Sequence, residues 1–165
     1  MQLCESSFGG PAMSESIRAL DLGFRPEAAV SGAILLQSEL SATLICNAVC
    51  QTAGKYKSAG LAIIEFEVCS ITKFGYPNDE AWGAIPRTKG LSYGFYEVLE
   101  SSWPEEIARL NRYGFPNSKA SAQRHFLALF HDSSFECLCR GWKARLSTDT
   151  LVGVIADIGK QICQE

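Results

Sequence analysis

The sequence predicts an α+β protein built on a mainly antiparallel β-sheet, which is a curled sheet, a sandwich or a partial barrel, with one short helix and a C-terminal helix. Two observations carry this prediction. Strand-like segments follow one another from about residue 28 to residue 100 without a helical pattern between them, which argues against parallel βαβ repetition. Helical spacing of apolar residues is clearest near 103–112 and 151–162.

Size and composition predict a single globular domain over residues 1–165. The chain has a mass of 18.0 kDa, 47% hydrophobic residues and 20% charged residues, which excludes a disordered, collagen-like or disulfide-dependent protein. The net charge of −3 gives no general attraction for nucleic acid or an anionic membrane, so neither is an expected partner. A surplus of Lys and Arg over 109–145 is expected to meet acids such as Glu65 and Glu67.

Targeting and redox signals favour a cytoplasmic protein. No segment reaches the length of apolar residues that a membrane span requires, and the first twenty residues lack a secretory pattern. The seven cysteines are therefore expected to be free thiols buried as small apolar residues. The alternative is a zinc site in which Cys46 and Cys50 meet Cys137 and Cys139 on a neighbouring strand.

Four segments before residue 100 have strand character, namely 28–37, 41–50, 60–72 and 91–99. In the third segment Ile64, Phe66 and Val68 alternate with Glu65 and Glu67, as expected for a strand with one apolar face. Residues 14–22 are predicted to form a short helix capped by Ser14.

A hairpin is predicted from strands at 125–129 and 135–145, which turn near 131–134. A short loop with an even number of residues keeps one face of this hairpin wholly apolar, formed by Phe126, Ala128, Phe130, Cys137 and Cys139. If the loop is 133–134, His131 lies opposite Glu136 on the other face.

Two helices have recognisable ends. Ser102 and Glu105 fit a capping box before the 103–112 helix, and Gly114 is placed to end it. The C-terminal helix has an apolar stripe of Leu151, Ile155, Ile158 and Ile162, with Thr148 or Asp149 as its cap. Both helices are expected to cover one side of the sheet.

Two polar clusters stand out from apolar surroundings. They are contained in the strings FGYPNDEAWG at 74–83 and HFLALFHDSSFEC at 125–137. These strings resemble motifs of a bacterial family of uncharacterised proteins, and the resemblance spans about residues 60–140. It implies neither an activity nor any site residues.

The sequence favours a non-catalytic binding or interaction module, since no nucleophile elbow, P-loop, dinucleotide-binding or zinc-protease motif occurs. The expected partner is a small molecule or a protein, no cofactor is indicated, and apolar edge strands favour a homodimer. The candidate binding residues are polar or aromatic side chains near the two clusters: Tyr76, Asn78, Asp79, Glu80, Trp82 and Trp142.

The alternative prediction is a hydrolytic enzyme, with or without a metal. His131 would act as the general base, with Glu136 or Asp132 orienting it. Asp79 and Glu80 would supply oxygen ligands for a divalent cation. Both clusters also fit ordinary turn chemistry, because Asp, Asn and Ser bond their own backbone in turns. Convergence of 74–82 and 131–136 in one concave pocket would favour the enzyme.

Overall fold

A computed structural model describes residues 15–29, 32–75 and 77–163 of the chain. In these residues, two five-stranded antiparallel sheets pack face to face, accompanied by short helices. The predicted α+β class with a mainly antiparallel sheet is therefore confirmed, and the sheets form a sandwich.

The strands, numbered in chain order, are β1 Ser16–Ala19, β2 Arg25–Pro26, β3 Ile34–Gln37, β4 Ala42–Thr52, β5 Lys55–Glu67, β6 Ile71–Gly75, β7 Gly94–Leu99, β8 Arg124–Leu129, β9 Ser134–Cys139 and β10 Gly141–Ser147. The helices are α1 Asp79–Ala84, α2 Trp103–Asn111 and α3 Leu151–Ile162, and Pro86–Thr88 forms a 3₁₀ turn. Sheet A has the order β1-β7-β8-β9-β6, and sheet B has the order β10-β5-β4-β2 with β3 also pairing β4.

The main core lies between the two sheets. The ring of Phe66 from sheet B packs against Phe126 and Phe135 of sheet A, with centroid separations of 4.8 and 5.2 Å. The apolar hairpin face predicted from the sequence is confirmed, since all five of its residues are buried in this core. Burial of so much aromatic surface is the main force that holds the sheets together.

Two predicted strands each divide between the sheets. The segment predicted at 60–72 ends in sheet B at Glu67, turns at Val68 with φ +50°, and resumes as β6 in sheet A. The segment predicted at 135–145 leaves sheet A after Cys139 and continues as β10 in sheet B. The two crossings are neighbours, because the Arg140 N–H donates to the Glu67 carbonyl at 2.8 Å.

The β8–β9 hairpin turns two residues earlier than the predicted 133–134 loop. Phe126 pairs with Cys137, and the Phe130 N–H donates to the Ser133 carbonyl at 2.9 Å, so the loop is 130–133. Glu136 lies opposite Leu127, and the predicted placement of His131 opposite Glu136 is wrong. The apolar face survives because the loop still has an even number of residues.

The predicted helix at 14–22 is wrong where it is described. Residues 16–19 form β1, which pairs with β7 so that Ile17 lies opposite Val98. Ile17 also packs against the buried cluster that contains Trp82 and Leu127. Tertiary pairing therefore outweighs the local helix signal. The predicted cap, Ser14, lies outside the described residues.

The helices cover opposite outer faces of the sandwich, which corrects the expectation that they share one side. Trp103 of α2 packs on His125 of sheet A. Val154 and Ile158 of α3 pack on Ile45 and Ile63 of sheet B. The cap of α3 is Thr150, whose Oγ1 accepts from the Gly153 N–H at 3.2 Å, so neither Thr148 nor Asp149 fills that role.

The predicted capping box at α2 is also wrong. Ser102 occupies the N-cap position without a side-chain cap bond, and its hydroxyl donates to Glu15. The Oγ of Ser101 instead accepts a hydrogen bond from the backbone N–H of Trp103 at 3.2 Å. Sequence analysis did not predict α1, which begins after Asn78 and covers sheet A through Trp82.

Candidate functional site

A buried histidine–glutamate pair lies on the outer face of sheet A. His125 of β8 and Glu136 of β9 are diagonal neighbours, because His125 pairs with Leu138 and Glu136 pairs with Leu127. The His125 Nε2 and Glu136 Oε2 atoms are 2.9 Å apart, and their side chains are only 3% and 9% exposed. Burying two such groups is costly unless they bond each other, so this contact is specific.

A serine extends this pair into a chain of three side chains. The Ser101 Oγ lies 2.8 Å from the His125 Nδ1, on the opposite side of the imidazole from Glu136. Ser101 follows β7 and precedes α2, and the preceding Glu100 has φ +54°. That left-handed residue turns the chain sharply, so that the serine after it faces the sheet.

An aromatic ring closes the chain from solvent. The indole of Trp103 packs edge-to-face on the His125 imidazole with a centroid separation of 4.9 Å, and Trp103 is itself buried. The Lys73 ammonium lies 3.9 Å from the centroid of the same indole, as a cation–π contact. Lys73 also pairs with Glu136 across β6 and β9, which places a cation beside the acid end of the chain.

The hydrogen-bond roles follow from the acceptor-only nature of a carboxylate. When the imidazole is neutral, the contact with ionised Glu136 requires the proton on Nε2. The Nδ1 atom is then an acceptor, and the Ser101 hydroxyl donates to it. The backbone N–H of Trp103 donates to the same Oγ. The hydroxyl therefore donates one hydrogen bond and accepts another.

His131 has different surroundings from those predicted. It is exposed in the 130–133 loop, where its Nδ1 is 3.3 Å from the hydroxyl oxygen of Tyr93. Asp132 is exposed beside it in the same loop. The predicted partner Glu136 lies opposite Leu127 in the ladder and is hydrogen-bonded to His125.

The candidate residues at 76–82 have mixed positions. Tyr76 lies outside the described residues. Asn78 caps α1, since its Oδ1 accepts from the Ala81 N–H at 3.2 Å, and Asp79 is the first residue of that helix. Glu80 is exposed. Trp82 is buried in the cluster on the outer face of sheet A.

The two polar clusters do meet at one end of sheet A. Gly75 pairs with Ser134, so the segment that leads into α1 begins beside the 130–133 loop. A cavity of about 210 Å³ near this end is lined by Trp82, Tyr93 and Leu129 among other residues. His131, Asp132 and Glu136 are not among its lining residues, so this cavity is not the shared pocket that would favour the enzyme.

Trp142 on β10 is half-buried at the other end of the sandwich. Its indole packs on Phe126 with a centroid separation of 5.1 Å, and the Arg124 guanidinium stacks on it at 3.9 Å. Arg124 also bonds Glu97 at 2.6 Å, which lowers the pKa of that buried carboxyl below its usual value, with a smaller effect from Arg18. These contacts close the end of the core.

Surface cations elsewhere in the basic 109–145 stretch meet acids, as the sequence analysis expected. Lys143 lies 2.6 Å from a Glu67 oxygen, and Arg145 lies 3.5 Å from a Glu65 oxygen. The acidic face of β5 therefore compensates part of the positive charge of β10.

A groove runs along the edge of the sandwich where the chain crosses from β1 to β2. Three adjoining cavities of about 370, 350 and 210 Å³ form it. Arg25, Val49 and Tyr56 line both of the first two cavities, and Ser92 and Tyr93 line both of the last two. The Arg25 Nη1 donates to the Tyr56 hydroxyl at 3.3 Å, which joins the cation to the aromatic wall.

The zinc alternative does not form. Cys137 is a free thiol buried in the core near Cys139 and Cys69, and this burial raises its pKa well above the usual value. Among the described residues, no group of three or more His, Cys, Asp or Glu side chains is arranged to hold a metal ion. None of the helices in this part of the chain has the length and hydrophobicity that crossing a bilayer requires.

Comparison of the chain with protein-family models, with curated proteins and with solved structures finds no match. The site is therefore interpreted from its own geometry. Sequence analysis missed both the groove and the Ser101–His125–Glu136 chain. One signal for this hydrogen-bonded chain was available: any β8–β9 loop with an even number of residues places His125 and Glu136 on the same face of the hairpin.

Proposed function

We propose that this chain is a binding protein whose edge groove takes a small aromatic anion. One observation carries the proposal: the middle cavity shares Arg25 and Tyr56 with one neighbouring cavity and Tyr93 with the other. Each of the two larger cavities lies within the range of about 300–1,000 Å³ that is typical of small-ligand pockets.

The lining chemistry supports this ligand class. Tyr56 and Tyr93 offer flat rings on which a planar ligand can pack, and Arg25 offers donors to a carboxylate, sulfonate or phosphate. Two acids also line these cavities: Asp21 accepts the Gly23 N–H at 2.9 Å, and Glu27 lies in the same cavity as Arg25. A ligand with an aromatic body and one anionic group matches these features.

The proposal is tested with 1-anilinonaphthalene-8-sulfonate, an aromatic anion whose fluorescence reports binding. We expect saturable binding to the native protein, and amide chemical-shift changes at residues 25, 56 and 93. Tyr56→Ala and Arg25→Gln should each weaken binding by about tenfold or more, which corresponds to the loss of about 1.4 kcal/mol.

Two exposed residues on and after α2 give matched controls. Tyr113→Ala and Arg109→Gln remove the same side-chain types away from the groove and should leave the affinity unchanged. Absence of saturable binding, or equal losses in the groove variants and their controls, would contradict the proposal.

A further inference from the structure

The Ser101–His125–Glu136 chain runs from the surface into the interior. Ser101 is half-buried, whereas His125 and Glu136 are almost completely buried. The three side chains come from the β7–α2 turn, β8 and β9, so the fold holds each member on a different element. The hydroxyl is the member nearest to solvent, and the acid is the member farthest along the chain.

The direction of the hydrogen bonds along Ser101–His125–Glu136 favours removal of the Ser101 hydroxyl proton. Glu136 accepts from Nε2, which leaves the Nδ1 lone pair directed at the Ser101 Oγ at 2.8 Å. The backbone N–H of Trp103 donates a hydrogen bond to the same Oγ at 3.2 Å. Nucleophilic hydroxyls are activated by this arrangement of an adjacent base and a third group that orients the base.

Helix capping alone does not account for the arrangement. The Ser101 Oγ could accept the Trp103 N–H without any imidazole behind it. The neighbouring Ser102 instead donates its hydroxyl to the Glu15 carboxylate at 2.8 Å, so it is a serine of the same turn with a different hydrogen-bond partner. Burial of His125 and Glu136 adds a desolvation cost that a cap does not need.

We propose that Ser101 is a nucleophile that attacks activated acyl and phosphoryl centres, with His125 as its base and Glu136 as the residue that positions the imidazole. With a fluorophosphate diester, the Oγ–P bond forms, the P–F bond breaks and fluoride leaves, while the hydroxyl proton passes to Nδ1. With an ester, the hydroxyl proton again passes to Nδ1 as the Oγ–C bond forms, the bond between that carbon and the alkoxy oxygen breaks, and the leaving alkoxide takes the proton from Nδ1. Water then attacks the acyl-serine and releases the acid and the free hydroxyl.

The test uses the full native chain and diisopropyl fluorophosphate. Intact-protein mass spectrometry should show one phosphoryl adduct, and peptide mapping should place it on Ser101. Labelling should be lost when the protein is unfolded in urea, because the base is then no longer beside the hydroxyl. Failure of the native protein to label at Ser101, or equal labelling after unfolding, would overturn the proposal.

Variants separate the roles. Ser101→Ala should abolish the adduct, and the matched variant Ser102→Ala should retain it. Glu136→Gln and His125→Gln should slow labelling by at least about tenfold, since a positioned base contributes about 10²–10⁴-fold. With circular dichroism showing a folded protein, an unchanged rate in His125→Gln would overturn its assignment as the base, and an unchanged rate in Glu136→Gln would overturn the positioning role of Glu136. The native-protein experiment still decides the proposal if a variant does not fold.

Discussion

The outer faces of the two sheets differ in the side chains that lie beneath the helix covering each of them. Under α3, the outer face of sheet B is aliphatic, with Ile45, Leu61 and Ile63 in contact with Val154 and Ile158. Under α2, the outer face of sheet A carries the bonded pair of His125 and Glu136 beneath Trp103. The first face contributes stability through apolar burial, and the second retains buried polar groups that stability alone does not require.

The largest effect is expected on the aliphatic face. Ile63→Ala removes a completely buried side chain between β5 and α3, and should lower the free energy of unfolding by about 2–5 kcal/mol. Urea denaturation measures this change. Val152→Ala, on the exposed side of α3, is the control and should change stability little. Similar losses in both variants would contradict the packing of α3 on sheet B.

The polar face should respond differently to single and double substitutions. Glu136→Leu leaves the buried His125 Nε2 without this acceptor and should cost about 1–3 kcal/mol. The double variant His125→Leu with Glu136→Leu should cost less than the sum of the single variants, because neither partner is then left unpaired. Urea denaturation of all four proteins gives the coupling free energy. Additive losses would show that the pair is not coupled.

The other buried carboxyl of sheet A gives a pH test. The hydrogen bond from Arg124 is the main cause that lowers the pKa of Glu97, so its contribution to stability is present above the ordinary pKa of 4.5 and is lost as the pH falls through the lowered pKa. Glu97→Gln should cost about 1 kcal/mol at neutral pH, since both arginines are partly exposed.

Acid should therefore bring the native protein and the Glu97→Gln variant closer in stability. Thermal denaturation from pH 7 to pH 3 measures the difference between them. Glu105→Gln, which breaks an exposed pair with Arg112, is the control and should show little dependence on pH. A stability difference between the two proteins that grows as the pH falls would contradict the lowered pKa of Glu97.

The smallest effect concerns reactivity rather than stability. Burial between the sheets raises the pKa of the Cys46 thiol to about 12, whereas Cys163 is exposed just after α3. Iodoacetamide at pH 8 should alkylate Cys163 and leave Cys46 intact, because the thiolate is the reactive form. Peptide mapping measures both sites, and rapid alkylation of Cys46 in the folded protein would contradict its placement in the core.

The sequence was most informative where burial follows a regular period. Alternation identified the core face that includes Phe126 and Cys137, and helical spacing located α2 and α3. It could not show that the strand interpreted as continuous over 135–145 changes sheets at Gly141, since the same apolar alternation suits either partner. The short α1 was also missed, because tertiary packing of Trp82 contributes more there than local propensity.

The candidate site was less predictable than the fold. Turns centred on 131–132 and on 133–134 both keep the faces of the hairpin intact, yet they give Glu136 different neighbours. Ser101 lies outside the hairpin, and its approach to His125 depends on how β7 turns into α2. Such a long-range contact leaves no periodic pattern in the chain. The groove is likewise assembled from four separate segments of the sequence.

The most direct measurement of the Ser101–His125–Glu136 chain is the tautomer of each imidazole, obtained from long-range ¹H–¹⁵N NMR correlations in mildly alkaline solution. The structure predicts that His125 carries its proton on Nε2, that this proton exchanges slowly because Glu136 accepts it in the interior, and that Nδ1 is unprotonated. A proton on the His125 Nδ1, or exchange as fast as that of His131 in its exposed loop, would contradict the chain.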